Sequence, residues 1–199
     1  MGIYTKDRRY ANRGAGLETF VKFANDRYRQ KGIAHIEKQN TEFIPIRDRT
    51  GKLVSCKVEQ KATFDFLGRY KHYPIAIEAK NSNDNDIRWD RVESNQARDM
   101  DDFIKEPGTI GLVLLSFEMR RFFVIPWVFW KEAYYWRVRK HNRTEPVTVS
   151  AFGTTWDIPK KFSVRIDEIP PEFEIPNHDF DFGLHYLAKA EQYITSLQP

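Results

Sequence analysis

The stretch that decides the reading runs from Thr63 to Lys80, TFDFLGRYKHYPIAIEAK. Asp65 stands thirteen positions before Glu78, and Lys80 follows Glu78 by two. Pro74 opens the apolar run Ile75-Ala76-Ile77. That run fits a strand covered on both faces, although periodicity alone also allows a buried helix. As a strand, its period of two puts Glu78 and Lys80 on one face with the small Ala76. Two charges then close an otherwise apolar strand.

Buried carboxylates and ammonium groups are costly unless they are paired or hold a metal. The plainest reading of E-x-K is therefore a strand that has reached solvent, with Glu78 and Lys80 as a surface pair. Asp65 on the preceding segment changes the weighing, because two hard carboxylate oxygens beside a lysine suit Mg²⁺ and a phosphate. Phosphodiester hydrolysis requires a metal that acidifies a bound water and polarises a phosphoryl oxygen, and a lysine that balances charge in the transition state.

At 199 residues, one domain over 1–199 is expected, with room for a substantial core. The 32 Lys and Arg outnumber the 28 Asp and Glu only slightly, for a net charge of +4; this permits nucleic-acid binding without requiring it. Cys56 is the only cysteine, so no disulfide framework is available and a reducing, cytoplasmic setting is expected. The start MGIYTKDRRY has no apolar core, and the apolar run Ile110 to Phe117 falls far short of the roughly 20 residues that span a bilayer. A soluble protein with no membrane partner is expected.

Residues 1–14 carry Lys6, Arg8, Arg9 and Arg13 against Asp7. Such an arm can lie along phosphates or be a solvated, disordered terminus, and composition alone favours disorder. Leu17, Phe20, Val21, Ala24 and Tyr28 follow amphipathic helical spacing, and the helix should end near Gly32. Glu18 at the edge of that stripe is either a first-turn acid favoured by the helix dipole or a third acid leaning over the site; the first needs nothing else from the fold.

Ile33 to Glu37 reads as a first strand. Residues 42–58, with Asp48-Arg49-Thr50-Gly51 between two β-rich arms, read as a hairpin. Its Arg47, Arg49, Lys52 and Lys57, with Lys61 beyond, suit a projection into nucleic acid or an edge hairpin guarded by cations. The polar NSNDNDIRWDR predicts a loop, and a helix is expected to begin near Arg91 or Val92. Within it, Gln96 sits in the stripe Val92, Gln96, Met100, Phe103, either as a satisfied core amide or pointing toward the carboxylates. Thr109 to Phe117 reads as the central strand and Phe122 to Ile125 as its partner, giving an α/β fold with a mixed sheet. The aromatic and basic 127–140 segment can stack bases, but helix-face packing is the simpler reading. Thr155 to Pro159 and the proline-rich 169–176 read as connectors, and Leu184, Leu187, Ala188 and Ile194 mark a last helix.

In this order, Asn12-Arg13-Gly14, Leu17-Glu18, Gly32-Ile33-Ala34, Thr63-x-Asp65, Glu78-Ala79-Lys80 and Gln96 resemble the RecU family of Holliday-junction resolvases, within the PD-(D/E)xK nuclease superfamily. The resemblance covers roughly residues 8–130 and, more weakly, the rest. Phe64 stands where that family usually has a second small hydroxyl residue, and the interval from Glu78 to Gln96 is one residue shorter.

The resemblance implies a restriction-endonuclease-like core, with a mixed β-sheet flanked by helices and a projecting hairpin stalk over 38–62. It implies a Mg²⁺-dependent endonuclease, with Mn²⁺ as a substitute, that resolves four-way junctions by paired nicks. Thr63, Asp65, Glu78 and Gln96 would surround the ion, and Lys80 would stabilise the transition state. It further implies a homodimer, with recombinase or branch-migration proteins as partners of the basic N-terminal region. The competing readings are another nuclease on the same scaffold and a non-catalytic junction-binding module.

Overall fold

The structure, a computed structural model, describes residues 8–138, 147–159, 161–176 and 181–195. Its first element, α1 (Arg8–Gln30), buries Leu17, Val21, Ala24 and Tyr28 of the predicted stripe, whereas Phe20, expected on it, is exposed. The helix starts earlier than expected, so residues 8–14 of the supposed arm are helical. It stops where Gly32 takes φ +68°, with Ile33 N–H donating to the Tyr28 carbonyl and Gly32 N–H to that of Arg29. This is a Schellman ending, which needs a residue at ease in the left-handed region.

A six-stranded sheet forms the centre, in the order β1 (Ala34–Lys38), β4 (Phe66–Tyr70), β5 (Tyr73–Ser82), β7 (Ile110–Phe117), β8 (Arg121–Pro126), β12 (Glu174–Ile175). Only β5 and β7 run parallel; the other neighbours are antiparallel. The parallel pair needs a crossover, which α2 (Ser94–Phe103) supplies. Every residue of β7 is buried, and on β5 so is the run from Ile75 to Ala79, as strands covered on both faces require. The sheet is therefore mixed and helix-flanked, as the α/β expectation held.

Beyond β1 the chain leaves the sheet as a separate two-stranded hairpin, β2 (Glu42–Arg47) with β3 (Leu53–Gln60). Phe43, Ile44, Ile46, Leu53, Val54 and Val58 remain exposed on it. Asp48 fixes its turn, its Oδ1 accepting from Thr50 N–H at 2.8 Å and Lys52 N–H at 3.1 Å, an Asx-type arrangement.

Helix α3 (Trp127–Val138) buries Trp127, Phe129, Trp130, Ala133 and Tyr134. Trp127, Phe129, Trp130 and Tyr134 are core packing, with Trp89, Trp156 and Phe173 against Phe129 and Trp130, while Tyr135 and Trp136 are half-buried. Residues 139 and 140 lie outside the described residues.

Several expectations are corrected. Thr155 to Pro159 is no connector: β10 (Thr154–Ile158) pairs with β9 (Val147–Ala151) and supplies buried Trp156 and Ile158. The turn between them places Phe152 at φ +54° and Gly153 at φ +73°, a primed hairpin geometry. The 169–176 segment contributes β12 to the sheet edge, where Arg121 grips Glu174 at 2.6 and 2.7 Å. Part of the polar loop is β6 (Asp86–Arg88), paired with β11 (Ser163–Arg165). The helix expected at Arg91 or Val92 starts at Ser94, after a 3₁₀ turn over Trp89–Arg91. Leu184 precedes the last helix, α4 (Leu187–Thr195).

Candidate active site

Register builds the site. β4 and β5 pair with Phe66 opposite Ile77, so one further step sets Asp65 across from Glu78 where the ladder opens. The Ala79 N–H donates to Asp65 Oδ2 at 2.8 Å, which aims that carboxylate at the β5 face carrying Glu78 and Lys80. Lys80 Nζ then lies 2.9 Å from Glu78 Oε2 and 3.5 Å from Asp65 Oδ2. Asp65 meets Glu78 and Lys80 because a single pair of strands zips in this register.

The side chain of Glu78 is wholly buried, while Lys80 keeps 12% and Asp65 23% of their exposure. Burial pushes the Glu78 carboxyl up to about 8, against the pull of Lys80. Burial works against the Lys80 ammonium, but Glu78 and then Asp65 beside it outweigh that and hold it above the ordinary lysine value. Glu78 Oε1 is buried with no hydrogen-bond partner among the described residues. A buried polar atom left so calls for an explanation, such as a bound water, an ion or a catalytic role.

The donor set suits a small hard cation. Asp65 and Glu78 offer carboxylate oxygens, and Oε1 of Glu78 is not engaged. No three of Asp, Glu, His and Cys gather into a cage among the described residues.

Other expected site residues stand elsewhere. Thr63 is exposed on the bend two residues before Asp65. Gln96 occupies the third position of α2, where its Oε1 accepts the Glu93 N–H at 3.0 Å in a capping box. Glu18 pairs with Lys38 of β1. On the hairpin, Arg47, Arg49, Lys52 and Lys57 are all exposed, and Lys61 at its return pairs with Glu93 at 3.6 Å. Arg8, Arg9 and Arg13 belong to α1, but their side chains lie outside the described residues, as does Lys6.

Sequence reading missed two backbone links that only the register reveals. Besides the Ala79 donor, Gln39 N–H donates to the Asp65 carbonyl at 2.9 Å, joining the start of the hairpin excursion to its end at the site.

The family model of RecU, Recombination protein U, matches residues 12–170. Proteins named Holliday junction resolvase RecU are similar: that of Streptococcus thermophilus strain LMD-9 is 31% identical over 125 residues, 59% of this chain and 62% of its own. That of Streptococcus mutans is 31% identical over 130 residues, 61% of this chain and 65% of its own. The alignments thus span less than two thirds of these relatives' length. A solved structure of Archaeoglobus fulgidus Hjc, described as a Holliday junction resolvase, aligns with a TM-score of 0.33 and 13% identity over 55% of this chain and 73% of its own, a likeness too slight to carry anything. The match across most of its length, together with the Asp65, Glu78 and Lys80 constellation, makes this chain a member of the Recombination protein U family.

Proposed function

We propose that the protein is a divalent-metal-dependent endonuclease that resolves four-way DNA junctions. The observation that carries this is the meeting of Asp65, Glu78 and Lys80, with one Glu78 oxygen buried and unengaged, in a chain of this family. Asp65 and Glu78 would hold Mg²⁺, with Mn²⁺ as a substitute, and Thr63 and Gln96 would complete the surround. For Gln96 that requires its oxygen to leave the Glu93 N–H.

Bound there, a divalent ion supplies an acidified water and polarises a phosphoryl oxygen. The chain's residues do the rest. The Ala79 N–H fixes the direction of Asp65. Lys80, held charged between two acids, presents its ammonium to the charge that develops on the phosphoryl group. Glu78 must release its proton to hold a cation, so occupancy and ionisation are coupled.

The exposed cations of the hairpin, Arg47, Arg49, Lys52 and Lys57 with Lys61, would grip the branched DNA. Arg8, Arg9 and Arg13 would add contacts and meet recombination proteins. A two-fold homodimer fits paired symmetric cuts, and the lone Cys56 fits a cytoplasmic location. No helix among the described residues is long and apolar enough to cross a membrane.

The test compares a synthetic four-way junction with a matched linear duplex, in Mg²⁺ and in EDTA. Symmetric nicks in the junction alone, abolished by EDTA, support the proposal. Equal cutting of both substrates points to a general nuclease, and tight binding without cleavage points to a binding module; either result overturns it.

A further inference from the structure

Without a bound metal, Asp65, Glu78 and Lys80 carry no net positive charge, since one ammonium faces two carboxyl groups. In EDTA, the attraction that an approaching phosphodiester feels must then come from other cations. Three arginines lie on or against the segment that follows Lys80, and they differ in one respect. Arg88 donates to both oxygens of Asp90, at 2.9 and 2.7 Å, and Arg137 reaches the same carboxylate at 3.4 Å. Asp90 thereby neutralises the pair. Arg91 is exposed and has no carboxylate partner among the described residues.

Its one hydrogen bond among the described residues runs from Nη2 to the main-chain carbonyl of Asn81 at 3.4 Å. Asn81 is the residue after Lys80, and its side chain is buried. Most of the five guanidinium donors thus remain available to the planar fork that matches a phosphate. The backbone beneath it is anchored. Trp89, in the same turn, is fully buried, with its N–H and Nε1 donating to the carbonyls of Phe162 and Lys161 at 3.2 and 3.0 Å. A rigid base, an uncompensated charge and attachment one residue from Lys80 make a positioning device for an anion.

We infer that Arg91 contacts the DNA backbone, holding a non-bridging oxygen of a phosphodiester beside the one that is cut. The inference rests on the nuclease reading above.

The experiment measures equilibrium binding of the four-way junction in EDTA across a salt series, and its cleavage in Mg²⁺, for wild type, Arg91→Ala and Arg91→Lys. Losing one charged hydrogen-bonded contact predicts binding weaker by about tenfold in Arg91→Ala, and a slope of log affinity against log salt shallower by about 0.9. Arg91→Lys should restore the salt slope but only part of the affinity, because a point charge replaces a fork. The melting temperature should not move, which separates a contact from a structural role. Wild-type affinity and salt slope in Arg91→Ala, with cleavage by wild type intact, would overturn this inference and leave the nuclease reading standing. Wild type that neither binds nor cuts the junction would overturn the nuclease reading and this inference with it.

Discussion

Lys80 Nζ lies 2.9 Å from Glu78 Oε2, and the second oxygen of that buried carboxylate, Oε1, meets no hydrogen-bond partner among the described residues. The pair is therefore half made. One oxygen answers the lysine, and the other is buried without a hydrogen-bond partner among the described residues.

Burial of Glu78 gives stability a pH dependence with a definite sign. Burial raises the Glu78 carboxyl from 4.5 to about 8. An acid raised in the folded state contributes its full stability below the unfolded value and loses it as pH climbs through the folded one. In EDTA, wild type should lose stability relative to Glu78→Gln by on the order of 4 kcal/mol between pH 5 and 8. Urea unfolding of both proteins across that range checks this; a constant difference contradicts it.

Lys80→Met keeps the hydrocarbon stem and deletes the ammonium. Cleavage should fall by about a hundredfold to a thousandfold, the usual cost of removing one charge-stabilising group, while far-UV circular dichroism is unchanged. Cleavage within a few-fold of wild type would remove Lys80 from the chemistry.

Two glycines rank the packing. A Cβ on Gly68 would stand 2.1 Å from the His35 carbonyl oxygen and 2.5 Å from Ile36 Cα, both immovable backbone of the neighbouring strand β1. On Gly111 it would meet the Met100 sulfur at 2.7 Å and Ile104 Cγ2 at 2.9 Å, side chains that can shift. Gly68→Ala should cost more than about 3 kcal/mol, and Gly111→Ala about 1–3 kcal/mol. Denaturant midpoints measure both, and the reverse order would contradict the β1–β4 packing.

The hairpin predicts a separation of binding from stability. Replacing Arg47, Arg49, Lys52 and Lys57 together by Ala removes exposed charges from a two-stranded unit outside the main sheet. The melting temperature should change by no more than about 2 °C, while junction affinity falls and its salt slope becomes shallower by up to about 3.6. An unaltered salt slope would exclude the hairpin from the DNA contact.

How far the residues disclose this structure can be seen element by element. The α1 stripe, the apolar run of β5 and β7, and the turn at Asp48 to Gly51 were legible because each follows a local period or turn rule. The site was legible as residue types, since two carboxylates and a lysine name their chemistry. Their meeting was expected from that chemistry and from the resemblance, but the register that makes it, pairing Phe66 with Ile77, is a non-local choice that no local period shows. Strand β10 was passed over because Phe152-Gly153 is an unusual primed turn and Pro159 reads as a connector. The capping box that holds Gln96 to Glu93 was hidden by weighing Gln96 only as a core amide or as a residue pointing toward the carboxylates.

We propose that Asp65 acts in cutting rather than in binding. Asp65→Asn tests it most directly, because the amide retains an acceptor for the Ala79 N–H and removes only the negative charge. Measured on one four-way junction with Mg²⁺, cleavage should be abolished while affinity stays within about threefold of wild type. Cleavage at the wild-type rate by Asp65→Asn would contradict the account.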